Sequence, residues 1–243
     1  MSESYTRSTY GDRIADVYDD WFTSAPAEMV TVLKSLAAPG PVLELGIGTG
    51  RIALPLAAEG IAVHGIDASK AMVAKLRAKT GGDRIPVVIG NFTEVPVDGS
   101  YSLIFVVFNT FFALTSQEEQ VQCFTNIAKR LQPGGLFLME AFVPDVTRFT
   151  HGQIIQATGI DMDCVRLEAS QHDAMHQRVF SQGMLITKHG VELYPVQIRY
   201  AWPAELDLMA RLANMRLRQR WSNWRRDPFT AASANHISIY ELL

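Results

Sequence analysis

Residues 42–51 read Val42-Leu-Glu-Leu-Gly46-Ile-Gly-Thr-Gly50-Arg51. A short apolar run ends in three alternate glycines, and an Ala- and Leu-rich stretch from Arg51 to Glu59 follows until Gly60 stops it. That order predicts a buried strand, a tight turn and a helix. Glycine suits such a turn because it accepts left-handed backbone angles and lets a ligand approach with no Cβ in the way. A glycine-rich strand–helix turn that binds nothing is the plain alternative.

Outward from this point the two periodicities keep alternating. Ile61–Asp67 reads as a second strand, Ser69 caps a helix through Lys79, Ile85–Ile89 is a third strand, and Tyr101–Phe108 is a fourth, apolar throughout as central parallel strands are. Gln117–Leu131 has helical spacing, Pro133-Gly-Gly135 ends it, and Leu136–Phe142 is a fifth strand. The second half changes character. Three β-like stretches, 163–171, 177–187 and 191–200, are joined at turns near Asp173 and His189-Gly190 with no helix between them. A short helix over Ala204–Ala213 and strands over Met215–Trp221 and His236–Glu241 complete the chain. The expected fold is α/β, a doubly wound seven-stranded sheet with a three-stranded antiparallel β insert. One domain spanning 1–243 is expected, with a helical cover over 1–40, a core over 41–142, the insert over 163–200 as a substrate lid or homodimer surface, and the last helix and strands over 201–243.

Composition narrows the function. Apolar residues make up 48% of the 243, so the chain can bury a core, and 22 Lys plus Arg against 25 Asp plus Glu leave a net charge of −3. The absence of a basic surplus argues against nucleic acid as a partner. Cys123 and Cys164 stand far apart, with no spacing for a metal site or disulfide framework. The polar start, Met1–Tyr10, and the short longest apolar run, Leu103–Phe108, give no signal peptide and no membrane segment. A cytoplasmic setting, no metal and no membrane association are the expectations.

Asp67 closes the second strand 21 positions after Gly46. An acid there points at the ribose hydroxyls of a bound nucleoside, in NAD and in nucleoside-sulfonium cofactors alike. Two features separate these cofactors. Gly50 follows Gly48 after one residue, where the NAD pattern requires two, and Glu44 just before the loop suits an ammonium group better than a pyrophosphate.

The sequence resembles the class I S-adenosylmethionine-dependent methyltransferases in Val42–Gly50, in Gly65-Ile-Asp67 with Ser69 and Met72, in Gly90-Asn91-Phe92 and in Leu131-Gln-Pro-Gly-Gly135, over about residues 41–142. The resemblance implies a Rossmann-like sheet whose last strand is antiparallel, and S-adenosylmethionine as cofactor, leaving as S-adenosylhomocysteine. It implies that Gly46, Gly48 and Gly50 lie along the methionine portion and that Glu44 holds its amino group. Asp67 takes the ribose hydroxyls, Ala68 and Met72 flank the adenine, and the Asn91 side chain and Phe92 N–H read its edge. Many relatives carry Asp where this chain has Asn91. The family's backbone carbonyl contact after the fourth strand falls near Phe108. Tyr10–Asp19 resembles the N-terminal helix of methyltransferases of antibiotic amino sugars and other small metabolites, where aromatic residues such as Tyr18 cover the cofactor.

Methyl transfer to oxygen or nitrogen of a small-molecule acceptor is the expected reaction, and a general base helps an acceptor that loses a proton. The amino-sugar subgroup can use a histidine shortly after the fourth strand, but Phe108-Asn-Thr-Phe-Phe-Ala-Leu114 has none. Phe111 and Phe112 suggest an apolar wall or core packing. Ligands in such folds bind beyond the carboxyl ends of parallel strands, which points to Glu140 and to His236 at the start of the last strand, and with Tyr10 of the N-terminal segment these are the candidate acid–base or acceptor-orienting groups. His172, His176 and His189 fall near turns and are expected to be solvated. A non-catalytic cofactor-binding or assembly protein and an NAD-dependent oxidoreductase remain as alternatives, although the latter lacks a Tyr-x-x-x-Lys pair.

Overall fold

A computed structural model describes residues 4–22, 25–37 and 39–243. The chain starts with two short helices, α1 (Thr9–Ile14) and α2 (Tyr18–Trp21), and then α3 (Ala27–Leu36). The core follows as β1 (Val42–Leu45), α4 (Ala53–Ala58), β2 (Val63–Asp67), α5 (Lys70–Arg77), β3 (Val87–Ile89), β4 (Tyr101–Val106), α6 (Gln117–Arg130) and β5 (Leu131–Phe142). An insert carries β6 (Gln153–Ile160), β7 (Cys164–Asp173), β8 (Arg178–Thr187) and β9 (Gly190–Arg199), after which α7 (Pro203–Leu212), β10 (Met215–Trp221) and β11 (Asn235–Leu242) return to the core.

The helices start where short polar side chains satisfy otherwise orphaned N–H groups. The Ser69 hydroxyl accepts from the Met72 N–H at the start of α5, and Ser116 accepts from Glu119 at the start of α6. Helix α6 also carries Glu118 and Glu119 in its first turn and Lys129 and Arg130 in its last, matching the helix dipole. Among the described residues the large sheet has the order β10-β11-β5-β4-β1-β2-β3. Strand β1 pairs in parallel with both β2 and β4, while β11 runs antiparallel to β5 and β10. The strand order reverses between β1 and β4, and a crevice opens there beyond their carboxyl ends. Strand β4 is buried on both faces. Ile104 and Val106 pack with Phe124 and Phe137, while Leu103 and Phe105 pack with Leu33 and Leu56 on the opposite side.

The insert is a separate four-stranded antiparallel sheet, β6-β7-β8-β9, one strand larger than the sequence predicts. Strand β6 is exposed along most of its length, including Ile155 and Ile160, so it lacks the apolar alternation that marks a half-buried strand. The N-terminal stretch is also broken rather than one helix. The Val17 N–H turns back to the Ile14 carbonyl in a tight three-residue step, which brings Tyr18 onto a new axis.

A buried polar network holds the insert to the core. Arg199 at the end of β9 donates to Gln120 Oε1 on α6 (2.5 Å), to Gln177 Oε1 (2.9 Å) and to Glu205 Oε1 on α7 (2.7 Å). Gln120 in turn donates to the Arg199 and Leu114 carbonyls. Burial alone raises the Glu205 carboxyl, but donors from Gln177, Arg199 and Gln117 outweigh it and hold its pKa below the ordinary value. Arg199→Met removes one partner of a buried pair and is expected to cost about 3 kcal/mol, read as a lower midpoint in denaturant unfolding. Glu205 contributes stability above its unfolded pKa and loses it as pH falls through the depressed folded one. The gap between wild type and Arg199→Met is therefore expected to narrow in acid.

Candidate active site

The glycine loop between β1 and α4 turns through positive φ at Gly46 (76°) and Gly48 (56°). A Cβ at Gly46 would strike the Thr110 methyl, and one at Gly48 would lie 3.2 Å from the Met72 methyl. Conformation thus favours glycine at both positions, and the close Thr110 methyl adds a steric constraint at Gly46. The turn is tied to the end of β2. Gly46 and Ile47 N–H groups donate to the Ile66 carbonyl, and the Gly48 N–H donates to Asp67 Oδ2 at 2.7 Å. Asp67 Oδ1 accepts from the Ser69 N–H at 2.8 Å. Burial raises the Asp67 pKa despite these two donors.

The loop borders a cavity of about 680 Å³ between the carboxyl ends of the core strands, the N-terminal segment and the insert. Glu44 on β1 reaches its wall from a site only 3% exposed. Its Oε2 has no hydrogen-bond partner, and burial lifts its pKa well above the carboxylate range even though the Arg51 guanidinium pulls the other way. Arg51 also lines the cavity, bonds the Tyr18 phenol and lies 4.8 Å over the Phe108 ring. Its Nε is buried without a partner. Sequence reasoning missed Arg51. Its signal was a cation just ahead of a helix N-terminus, where the dipole disfavours positive charge.

Tyr18, Glu44, Gly46, Gly48, Asp67, Ala68, Met72, Phe92 and Phe108 all meet at this cavity. Gly50 and Asn91 lie off its wall. Gly50 packs beneath Leu76, and the Asn91 Oδ1 accepts from the Thr93 N–H at 3.0 Å, closing a local turn.

Of the three candidate acid–base groups, Tyr10 alone lines the cavity, where burial first and then the neighbouring Tyr18 and Tyr5 push its phenol pKa up. Glu140 sits behind the wall. Its Oε2 accepts from the Phe108 N–H at 2.9 Å and its Oε1 from Trp224 Nε1 at 2.7 Å, so it clamps the segment after β4. His236 is fully buried off the wall, with Nδ1 sharing a 2.9 Å hydrogen bond with the Ser238 hydroxyl. Burial and Arg220 bring its pKa down to about 4, which keeps it neutral. Phe111 and Phe112 are both core residues. His172 lies within β7 and not at a solvated turn, and its Nε2 is 2.9 Å from the Tyr200 hydroxyl.

The far end of the cavity is walled by Glu168, Val179, Ser181, Val196, Ile198 and Tyr200, and by the segment Asp145–Phe149. Among the described residues no group of three His, Cys, Asp or Glu side chains is placed to hold a metal ion, and no helix is long and apolar enough to cross a membrane.

Comparison with known proteins agrees with this geometry. A family model described as a methyltransferase domain matches residues 42–135. The structure of the CcbJ methyltransferase from Streptomyces caelestis is 38% identical, covers 98% of this chain and 99% of its own, and superposes with a TM-score of 0.92. The cypemycin N-terminal methyltransferase of Streptomyces sp is 27% identical over 201 residues, 82% of each chain. CalS10, an amino pentose methyltransferase from Micromonospora echinaspora, shares the fold at 16% identity, with a TM-score of 0.63 over 98% of this chain and 92% of its own. A strand-ending glycine loop, an acid on the next strand and a buried carboxylate beside them are the features of one family, and the chain belongs to it: the class I S-adenosylmethionine-dependent methyltransferases.

Proposed function

We propose that the enzyme transfers a methyl group from S-adenosylmethionine to a nitrogen, or alternatively an oxygen, of a small secondary-metabolite acceptor by in-line displacement. The observation that carries the reading is the Glu44 carboxylate, buried at the cavity wall with one oxygen unpartnered. A buried carboxylate oxygen without a donor is costly unless a ligand supplies one, and an ammonium group does so. The neighbouring Arg51 guanidinium complements the carboxylate of the same amino-acid moiety. Asp67 keeps outward lone pairs for the ribose hydroxyls, while Ala68, Met72 and Phe92 offer an apolar slot for the adenine.

When bound, the cofactor supplies a strongly activated methyl group. What this chain must do is orient the acceptor and exclude water. Tyr10 and Tyr18 cover the loop side, and Phe22 packs edge-on to Phe108 at 5.0 Å to close the same edge. The Tyr10 phenol, held protonated by its surroundings, acts as a donor that orients the acceptor. Glu140 holds Phe108 in place, and His236 plays no part at the cavity. Nitrogen is favoured because Glu168 lines the far end of the cavity with an acidic side chain that suits an amine, its Oε1 already held by Arg148 and Ser170, and because the name of the cypemycin relative places its methyl group at an N-terminus.

Isothermal titration is expected to show S-adenosylmethionine binding to the wild type, and absence of binding at millimolar cofactor overturns the reading. Glu44→Gln and Asp67→Ala each remove a charge-assisted hydrogen bond, about 1.5–3 kcal/mol, and are expected to weaken binding roughly 10–100-fold. Ionised Glu44 is the binding form, so wild-type affinity falls as pH drops through its raised pKa, and Glu44→Gln loses that dependence. S-adenosylhomocysteine release measured over free-amine dipeptides, amino sugars and their hydroxyl counterparts is expected to favour the amines. Turnover confined to the hydroxyl compounds assigns oxygen instead.

A further inference from the structure

We propose that Tyr200 and His172 form a proton-accepting pair for the methyl acceptor, a role that rests on the function proposed above. Tyr200 follows β9, is 4% exposed and contributes to the cavity wall, whereas His172 stands behind it and off the wall. The Tyr200 hydroxyl and His172 Nε2 are 2.9 Å apart. The imidazole is held flat against Phe149 (4.6 Å between centroids, 21° between planes) and tilted on Tyr200 (5.7 Å, 35°), so its orientation is fixed on two sides. The register puts His172 opposite Val179 and Val179 opposite Ile198, so the pair bridges β7 and the end of β9 across β8.

Other hydroxyls at the wall have different partners. Ser181 bonds Ser170 at 2.7 Å, Tyr5 accepts from the Gln197 N–H at 3.3 Å, and Tyr18 is bonded by Arg51. Tyr200 is backed by an imidazole, whose neutral form carries one ring nitrogen able to accept a proton. Burial raises the phenol pKa, so the free phenolate is a poor starting point at neutral pH. The imidazole removes that obstacle. As the acceptor's N–H or O–H proton passes to the Tyr200 oxygen, the phenolic proton passes to His172 Nε2. A neutral phenol and an imidazolium result, and the lone pair left on the acceptor atom is the one that forms the new bond to the methyl carbon. Once the product leaves, the proton gained at Nε2 passes back through the Tyr200 hydroxyl to water in the emptied cavity, and the starting phenol–imidazole pair is restored.

Charged groups around the pair are Arg199, Asp173 and Glu205, which act on the phenol, and Arg148, whose guanidinium lies 5.2 Å over the Phe149 ring. Asp173 is itself bonded to His176 Nδ1 at 2.6 Å. The Glu168 carboxylate on the same wall holds the Ser170 hydroxyl at 3.1 Å and Arg148 at 3.5 Å.

The test uses Tyr200→Phe, His172→Gln and His172→Ala in the full chain, with the fastest amine from the panel above. General acid–base groups contribute about 10²–10⁴-fold. Both Tyr200→Phe and His172→Gln are expected to lower kcat at least about 100-fold while S-adenosylmethionine affinity stays unchanged. The wild-type kcat rises with pH along an ionisation that both variants lose, and added imidazole restores rate to His172→Ala. A purely structural hydrogen bond would move neither the pH profile nor the imidazole response. Variants that bind cofactor and match the wild-type kcat and pH profile overturn the pair alone. A wild type that binds no cofactor, or turns over no member of the panel, overturns the proposed function and the pair with it.

Discussion

The hydrogen bond from the Gly48 N–H to the Asp67 carboxylate joins the ends of β1 and β2, and the cavity is arranged around it. It forms because Gly46 and Gly48 take backbone angles that other residues resist. It fixes Asp67 by one oxygen while the Ser69 N–H fixes the other. The cover is attached to the same unit. The Ser69 hydroxyl donates to Asp12 at 2.6 Å, the Thr49 hydroxyl donates to Asp19 at 2.7 Å, and Lys79 pairs with that same Asp19. Loop, acid, helix cap and N-terminal cover are therefore one hydrogen-bonded assembly.

This connectivity explains which parts of the molecule were legible in the sequence. The glycine loop, the doubly buried strand β4 and the Ser69 and Ser116 caps are written in local residue order, since each depends on neighbours within a few positions. What escaped depends on burial or on distant partners. His236 follows Asn235 in β11. Asn235 reaches the cavity wall at the start of the strand, whereas His236 begins a run, His236 to Tyr240, that is buried on both faces. Glu140 has the chemistry of a base, but Trp224 and the Phe108 N–H, both remote in sequence, engage its two oxygens. Asn91 was assigned to the adenine by resemblance, yet its oxygen closes a turn two residues on. Strand β6 gave no signal because exposure on both faces erases the period of two.

Backbone and side chains divide the cavity between them. At one end, glycines and main-chain N–H groups set the shape, and few substitutions leave it intact. At the other, the wall consists of side chains on β7, β8 and β9, which are anchored to the core through Arg199, Gln120 and Glu205. Strand positions tolerate exchange as long as the pleat and its anchor persist, so the acceptor end can change its chemistry while the cradle stays as it is.

The anchor also bears on precision. Arg199 and Tyr200 are adjacent, so the residue that ties the insert to α6 and α7 immediately precedes one that lines the cavity. Gln177 strengthens the link, since it takes an Arg199 hydrogen bond, donates to Glu205 and receives the Tyr200 N–H at its carbonyl. A phenol mounted beside a hydrogen-bonded network of buried Arg199 and Gln120 with half-buried Gln177 and Glu205 has little freedom to wander, and positioning of a reacting group to within about 0.5 Å is what such a site requires. The ion-pair network is thus better understood as a device for holding Tyr200 in place than as a source of net stability, because a buried pair offsets much of its Coulombic gain through desolvation.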